Sequence, residues 1–262
     1  MISSTKNDQV KAVIELKKKA KAREEAGLFV VEGIRMISEL PKDRTKKLYV
    51  SESFLKNPES DAILSGFPDY ETVTDQVFAA MSDTQTPQGV LALVRQYEYE
   101  LEDLCLKDRP VLLMILENIQ DPGNLGTILR AGEGAGITGL IMSRDTVDIY
   151  NPKVIRSTMG SAFRVPFLYA DNLMETVNKL KEAGIRLYAA HLEGEKDYEA
   201  EDYTKASGFL IGNEGNGLTD ELAHQADAWI KIPMCGKVES LNAAIAASIL
   251  MFEAARQRRK LS

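Results

Sequence analysis

Apolar residues run through this chain in two different rhythms. In the first hundred residues they come as short bursts between polar stretches, and from Pro110 onward unbroken apolar runs alternate with segments of helical spacing. Val10–Ala26 has the spacing of an amphipathic helix and stops at Gly27, a residue favoured just past a helix end. Leu28–Val31 predicts a short strand, Gly33–Leu40 a helix halted by Pro41, Lys47–Ser51 a second strand and Gly89–Val94 a buried third. A loop-like stretch rich in Pro, Gly and Ser runs through Phe67-Pro68 between the last two. Gln96–Asp108 is acidic and carries no strong strand pattern.

The second rhythm is regular. Strands are expected at Val111–Glu117, Ile137–Ser143, Val165–Ala170, Arg186–His191, Phe209–Gly212 and Trp229–Ile232. Helices are expected at Leu125–Glu133, Lys153–Thr158, Asn172–Ala183, near Thr219–Gln225, and along the closing segment Leu241–Arg258. Several of these strands are apolar throughout, as in a parallel sheet covered on both faces. The pattern predicts an α/β protein, with a small α/β domain at 1–96, a linker at 97–109 and a second domain at 110–262 built on a mostly parallel sheet.

Composition narrows the class. Of the 262 residues 44% are hydrophobic and 27% charged, ordinary for a globular protein. The longest clean apolar runs, such as Val111–Leu116, fall far short of the roughly 20 residues a membrane span needs. The first residues lack the apolar stretch of a secretory signal. Two cysteines, Cys105 and Cys235, make no disulfide framework, and with two histidines they argue against a zinc site. A reduced, cytoplasmic setting is expected, with no metal and no membrane partner.

The net charge of −7 conceals a division. Residues 1–50 hold 12 Lys+Arg against 7 Asp+Glu, a net of +5, and the remainder holds 20 against 32, a net of −12. Local potential governs an encounter with a polyanion, so an acidic protein with a basic N-terminal portion can still bind nucleic acid. Lys17, Lys18, Lys19, Lys21 and Arg23 form the densest part. A solvated helix face would look the same.

One motif is set aside. Gly134, Gly136 and Gly139 match the letters of the dinucleotide fingerprint GxGxxG, which must follow a strand and open a helix. Here the glycines end a helix and precede a strand, so they read as helix termination and tight turning. An oxidoreductase reading has no other support, and no phosphate loop of the GxxxxGK[ST] type exists.

Three other segments each follow an apolar strand at its carboxyl end, where open parallel sheets place their ligands. The first is NIQDPGNLGTILR at 118–130. Asp121-Pro-Gly is expected to turn, Asn124 to sit at or near a helix N-cap, and Arg130 to fall in the second helical turn. Asn124 can be a plain cap and Arg130 a plain exposed charge, although an arginine beside a glycine-rich turn also suits a phosphate. The second is IGNEGNGL at 211–218, which lets a backbone approach a ligand closely and carries Glu214. The third is IPMCGKVESLN at 232–242, where Ser240 is a natural N-cap and Asn242 is less obviously structural. Met234 and Cys235 read as space-filling.

Taken in order, these segments resemble the three motifs of the SpoU (TrmH-like) branch of the SPOUT methyltransferases, as DPGNLGTILR at 121–130, IGNEGNGL at 211–218 and IPMCGKVESLNAAIA at 232–246. NPKVIRSTMGSAFRVP at 151–166 resembles the family's connecting region, and the likeness covers essentially all of 110–260. The segments GLFVVEGIRM and TPQGVLALV resemble the small ribosomal-protein-like RNA-recognition domain that many members carry.

That resemblance implies a deep trefoil knot in the C-terminal sheet and a bent S-adenosylmethionine cofactor held in it. It places cofactor contacts on Gly212, Ile232 and Leu241, with Met234 and Gly236 nearby, and a catalytic set of Asn124, Arg130, Glu214, Ser240 and Asn242. RNA contacts are expected at Lys17, Lys18, Lys19, Arg23, Arg35, Arg130 and Arg156, and a homodimer is expected. The implied activity is methyl transfer to a ribose 2′-hydroxyl, with ribosomal RNA favoured over transfer RNA because a separate recognition domain suits a folded stem-loop read by shape. The alternative is a non-catalytic RNA-binding or ribosome-assembly protein on the same fold, against which the complete polar set argues.

Overall fold

A computed structural model describes residues 1–67, 69–105 and 109–260. Pro68 of the expected loop and residues 106–108 of the expected linker lie outside the described residues. The chain divides into two compact units, one of residues 1–97 with 148–163, the other of 98–147 with 164–262. The expected boundary put all of 110–262 together; the difference is the segment 148–163, which packs into the first unit.

In chain order the elements are α1 (Asp8–Lys18), α2 (Ala20–Ala26), β1 (Leu28–Glu32), α3 (Ile34–Ser38), β2 (Thr45–Ser51), α4 (Ser60–Leu64), β3 (Glu71–Val73), α5 (Asp75–Met81), β4 (Val90–Arg95) and α6 (Leu101–Leu104). There follow β5 (Leu112–Leu116), α7 (Pro122–Ala135), β6 (Gly139–Ser143), α8 (Pro152–Thr158), β7 (Phe167–Ala170), α9 (Leu173–Glu182), β8 (Arg186–Ala190), β9 (Lys196–Asp197), β10 (Ser207–Ile211), α10 (Asp220–Ala223), β11 (Ala228–Lys231) and α11 (Ala243–Arg259).

The first unit is a four-stranded sheet in the order β1-β4-β2-β3, in which only the β2–β3 pair is parallel. Its strands are buried on both faces. Val30, Tyr49 and Leu91 pack in one cluster with Val10, Val13, Val77 and Phe78 of α1 and α5. The next residue of β1, Phe29, points the other way, as successive strand residues do, and stacks 4.6 Å from Tyr150 in the 148–163 segment. The short β3 and α5 had no strong pattern in the sequence.

The expected helix Val10–Ala26 is two helices. Lys19 is extended (φ −122°, ψ 120°), and the break is stabilised by Arg23. That buried guanidinium donates to the carbonyls of Leu16 (2.7 Å) and Lys17 (3.3 Å), which the interrupted helix leaves without their usual acceptor role. Gly27 then ends α2 in the left-handed region, as its position suggested.

The second unit carries seven parallel strands in the order β7-β6-β5-β10-β8-β11-β9. From β5 the chain builds outward through β6 and β7, then crosses to the other half with β8 and β9. Only afterwards does it insert β10 between β5 and β8, and β11 between β8 and β9. The direction of winding therefore switches between β5 and β10, the place where open sheets form a ligand crevice at their carboxyl ends. Leu113, Ile115, Ile141, Leu187 and Leu210 pack with α9 and α10 on one face. On the other, α11 lies along β10 and α7. Gly136 ends α7 with φ +78°, confirming that the GxGxxG letters terminate a helix.

The basic end of α11 is partly structural. Arg258 donates to the carbonyls of Tyr203 (2.8 Å), Pro110 (2.8 Å), Val111 (2.9 Å) and Lys205 (2.7 Å), pinning the chain entering β5 and β10. Arg256 pairs with the buried Glu253 at 2.6 Å. Among the described residues no helix is long and apolar enough to cross a membrane.

Candidate active site

The three loops that leave β5, β10 and β11 supply one polar network. The first forms because Asp121 caps α7, its carboxylate accepting the Asn124 N–H at 2.8 Å, with Pro122 at the first helical position. Asn124 is therefore the third helical residue rather than the cap, and Arg130 the ninth, in the third turn rather than the second. The second loop is a tight reversal in which Asn213 and Gly217 exchange backbone hydrogen bonds of 3.0 and 2.9 Å. A Cβ on Gly212 would fall 2.0 Å from the Gly217 carbonyl carbon. Glycine is thus required there by the loop's own backbone, in addition to any ligand it approaches. The third loop enters α11 through Asn242, whose side-chain oxygen accepts from Ala244 N (2.9 Å) and Ile245 N (3.3 Å). Asn242, and not Ser240, is the N-cap. Ser240 is exposed and makes no side-chain hydrogen bond among the described residues.

Glu214 organises the network. Its carboxylate accepts from Gln120 N (3.1 Å), Asp121 N (3.0 Å) and Asn124 Nδ2 (2.9 Å). Partial burial opposes its ionisation, but these donors outweigh burial and hold its pKa below the ordinary glutamate value. An ionised carboxylate only accepts, so Asn124 must turn its amide nitrogen toward Glu214. The Asn124 oxygen then accepts from Asn242 Nδ2 at 2.9 Å, and the Asn242 oxygen is left to cap α11. One carboxylate fixes the orientation of two amides and the start of a helix.

Of the expected catalytic residues, Asn124, Glu214 and Asn242 are joined directly. Arg130 is not part of their network. It lies six residues beyond Asn124 on α7, about 9 Å along the axis and about 120° around it, is exposed, and its side chain makes no hydrogen bond or ion pair among the described residues. Gly134, one turn on along the same stripe, lies beside the exposed Phe252 of α11, whose ring edge is 3.6 Å from where a Gly134 Cβ would stand.

The expected cofactor residues line the ends of β10 and β11. Ile232, Met234 and Leu241 are half-buried, Gly212 likewise, and Gly236 exposed. Among the described residues, no backbone hydrogen bond is formed by residues 232–241 outside strand pairing. Apolar walls with unspent backbone donors and acceptors fit a purine, so the residues present suit S-adenosylmethionine.

The expected RNA contacts divide sharply. Lys17 is buried, donating to Met81 O (2.5 Å) and pairing with Glu32 (3.4 Å) and Asp83 (3.3 Å). Arg23 is buried and pairs with Asp148, its Nε 2.8 Å from the carboxylate. Both cations are consumed inside the first unit, and their expected role as RNA contacts is corrected on that ground. Lys18, Lys19 and Arg35 are exposed and Arg156 half-buried. Sequence reasoning missed Asp121 as a cap, although Asp followed by Pro is a readable helix start. It also missed Asn118, Gln120 and Asn213, which no local pattern distinguishes.

Residues 111–252 match the model of the SpoU rRNA Methylase family, more than half of the chain. The chain belongs to the SpoU rRNA methylase family. Residues 7–92 match the MRM3-like substrate binding domain. The chain is 32% identical over 253 residues to the Bacillus subtilis 23S rRNA (guanosine(2553)-2'-O)-methyltransferase RlmP, covering 96% of this chain and 97% of that one. Among solved structures it is similar to the SpoU methyltransferase AviRb from Streptomyces viridochromogenes in complex with the cofactor AdoMet, with TM-score 0.86, 28% identity and coverage of 97% and 99%. It is likewise similar to an AdoMet-bound rRNA methyltransferase from Sinorhizobium meliloti, with TM-score 0.85, 31% identity and 97% of both chains covered.

Proposed function

We propose that this SpoU-family protein transfers a methyl group from S-adenosylmethionine to a ribose 2′-hydroxyl of ribosomal RNA. The observation that carries the reading is the Asn124–Glu214–Asn242 network at the winding switch, set against a loop with free backbone groups. When bound, S-adenosylmethionine supplies a methyl group on a good sulfonium leaving group. The backbone of 232–241 would hold the purine, with Gly212, Ile232, Met234, Gly236 and Leu241 around it.

The chain's own residues position the acceptor. Glu214 has four donors on its carboxylate, Asn213 Nδ2 at 3.5 Å being the longest, and serves to orient rather than to take a proton. Asn124 and Asn242 each retain a second amide hydrogen with which to direct a ribose oxygen. The planar fork of donors on Arg130 binds the RNA phosphate. Ser240, exposed near the end of the cofactor loop, completes the acceptor site. Alignment of oxygen with the methyl group supplies much of the acceleration, as in other reactions limited by orientation.

Arg130 reaches such a site through a second copy of the chain. Ile245 (53% exposed) and Phe252 (46%) stand seven residues apart on α11, two large apolar groups on one face beside the Arg130 stripe. This supports a homodimer with the active site near its interface. The reading includes the trefoil knot of the family, a cytoplasmic setting, and a recognition role for 1–96 with Lys18, Lys19, Arg35 and Arg156 as phosphate contacts.

The test is incubation with labelled S-adenosylmethionine and unmodified ribosomal or transfer RNA, followed by digestion to nucleosides. A 2′-O-methylnucleoside from ribosomal RNA is the expected product. Label only in transfer RNA would replace the substrate, and failure to bind the cofactor in calorimetry would overturn the enzymatic reading.

A further inference from the structure

We infer that Asn118 is a positioning residue whose left-handed backbone ties the loops that follow β5 and β10 to the end of β6. The inference rests on the methyltransferase reading above. Asn118 follows β5 with φ +56°, one of only two non-glycine residues with positive φ among those described. That conformation is uncommon for a side chain, and asparagine tolerates it better than most.

Three polar groups of Asn118 are used: its N–H and side-chain oxygen both reach the end of β6, and its carbonyl reaches the loop after β10. Its N–H donates to Ser143 Oγ (2.8 Å), and its side-chain oxygen accepts the Ser143 hydroxyl (2.7 Å), fastening it to the end of β6. The hydroxyl's single proton is thereby committed, so Thr146 Oγ1, 3.1 Å away, donates to Ser143. The Asn118 carbonyl is turned the other way and accepts from Asn213 Nδ2 at 2.7 Å, which sits immediately before Glu214. The same carbonyl accepts from Gln120 Nε2 at 3.3 Å, in the turn whose backbone N–H groups grip Glu214. An ordinary extended residue here would point its carbonyl away from the Asn213 amide. Asn118 touches none of the groups assigned to substrate, yet it sets where Glu214 stands, and through Glu214 the orientation of Asn124 and Asn242.

The test compares Asn118→Gly with Asn118→Ala in single-turnover methyl transfer, at a temperature where denaturant titration shows every variant folded. Glycine keeps the left-handed turn at little cost and loses only the side chain, whereas alanine resists the turn. Asn118→Ala is expected to slow transfer roughly ten- to hundred-fold, as a misplaced site should, with Asn118→Gly within about threefold of wild type. The proposal is overturned if Asn118→Ala transfers within about twofold of wild type, or if the two variants lose activity equally. Should Asn118→Ala fail to fold, Ser143→Ala removes the pin without altering the turn. It is expected to cost roughly threefold to tenfold in rate, and an unchanged rate would overturn the proposal. Wild-type transfer measured alongside separates this inference from the reading it rests on: an inactive wild type refutes the latter, an active wild type with indifferent variants only the former.

Discussion

The two units treat their charged residues in opposite ways. In the first, the densest cationic stretch turns two of its members inward: the side chains of Lys17 and Arg23 are 3% and 5% exposed and neutralised by Glu32 and Asp148. In the second, Glu214 and Asn242 stand exposed in a network that fixes their orientation, and the exposed Arg130 side chain has no partner among the described residues. Cations already spent on internal carboxylates hold the scaffold together. A cation without a partner, near an ordered polar network, remains available to a ligand.

The contrast breaks most visibly at Lys17. Lys17→Met leaves the Glu32 carboxylate buried without its partner, and is expected to destabilise the protein by about 3–5 kcal/mol, whereas Lys18→Met next to it should stay within about 0.5 kcal/mol. Denaturant titration of both variants checks this, and equal losses would erase the distinction between spent and free cations. Arg130→Ala should show the reverse. Transfer is expected to slow roughly 100-fold, as on removal of one preorganised electrostatic contact, with unfolding free energy changed by no more than about 0.5 kcal/mol.

Asn242 sharpens the comparison because it has two functions. Asn242→Ala removes the helix cap and should cost about 1 kcal/mol of stability. Asn242→Asp keeps a good cap but cannot donate to Asn124. Its stability should stay within about 0.5 kcal/mol of wild type, while transfer slows about tenfold from one lost hydrogen bond. If Asn242→Asp transfers normally, the side chain is a cap alone.

The smallest effect concerns pH. The folded-state pKa of Glu214 lies below its ordinary value of 4.5, so its stabilising contribution is fully present above that value and is lost as pH falls through the lower, folded one. The unfolding free energy, measured by denaturant titration from neutral pH downward, should therefore keep the Glu214 contribution down to 4.5 and lose it only below. A loss centred on 4.5 would mean that the carboxylate is not held by its donors.

Six of the seven strands of the second unit were legible because they are largely apolar, and the site's three loops because each follows such a strand. The exposed edge strand β9, Lys196–Asp197, carries no apolar signal and was missed. The start of α7 was misplaced by reading Asp121-Pro122 as a turn, although the same two residues form a cap and a first helical position. At α11 two cap-forming residues, Ser240 and Asn242, compete within three positions. What decides between them is Asn124, 118 residues away. Distance in sequence also hid the fate of Arg23, whose carboxylate partner stands 125 residues on. The assignment of 148–163 to the first unit follows from those same long-range contacts, and no local pattern announces it.

The central claim is that a polar network oriented by Glu214, together with the unpaired Arg130, aligns a ribose hydroxyl for methyl transfer. Single-turnover transfer from labelled S-adenosylmethionine to ribosomal RNA, wild type against Arg130→Ala at matched folded fraction, tests it most directly. The account predicts a 2′-O-methylnucleoside from the wild type and a roughly 100-fold slower Arg130→Ala that still binds the cofactor. An Arg130→Ala rate within about threefold of wild type would contradict it.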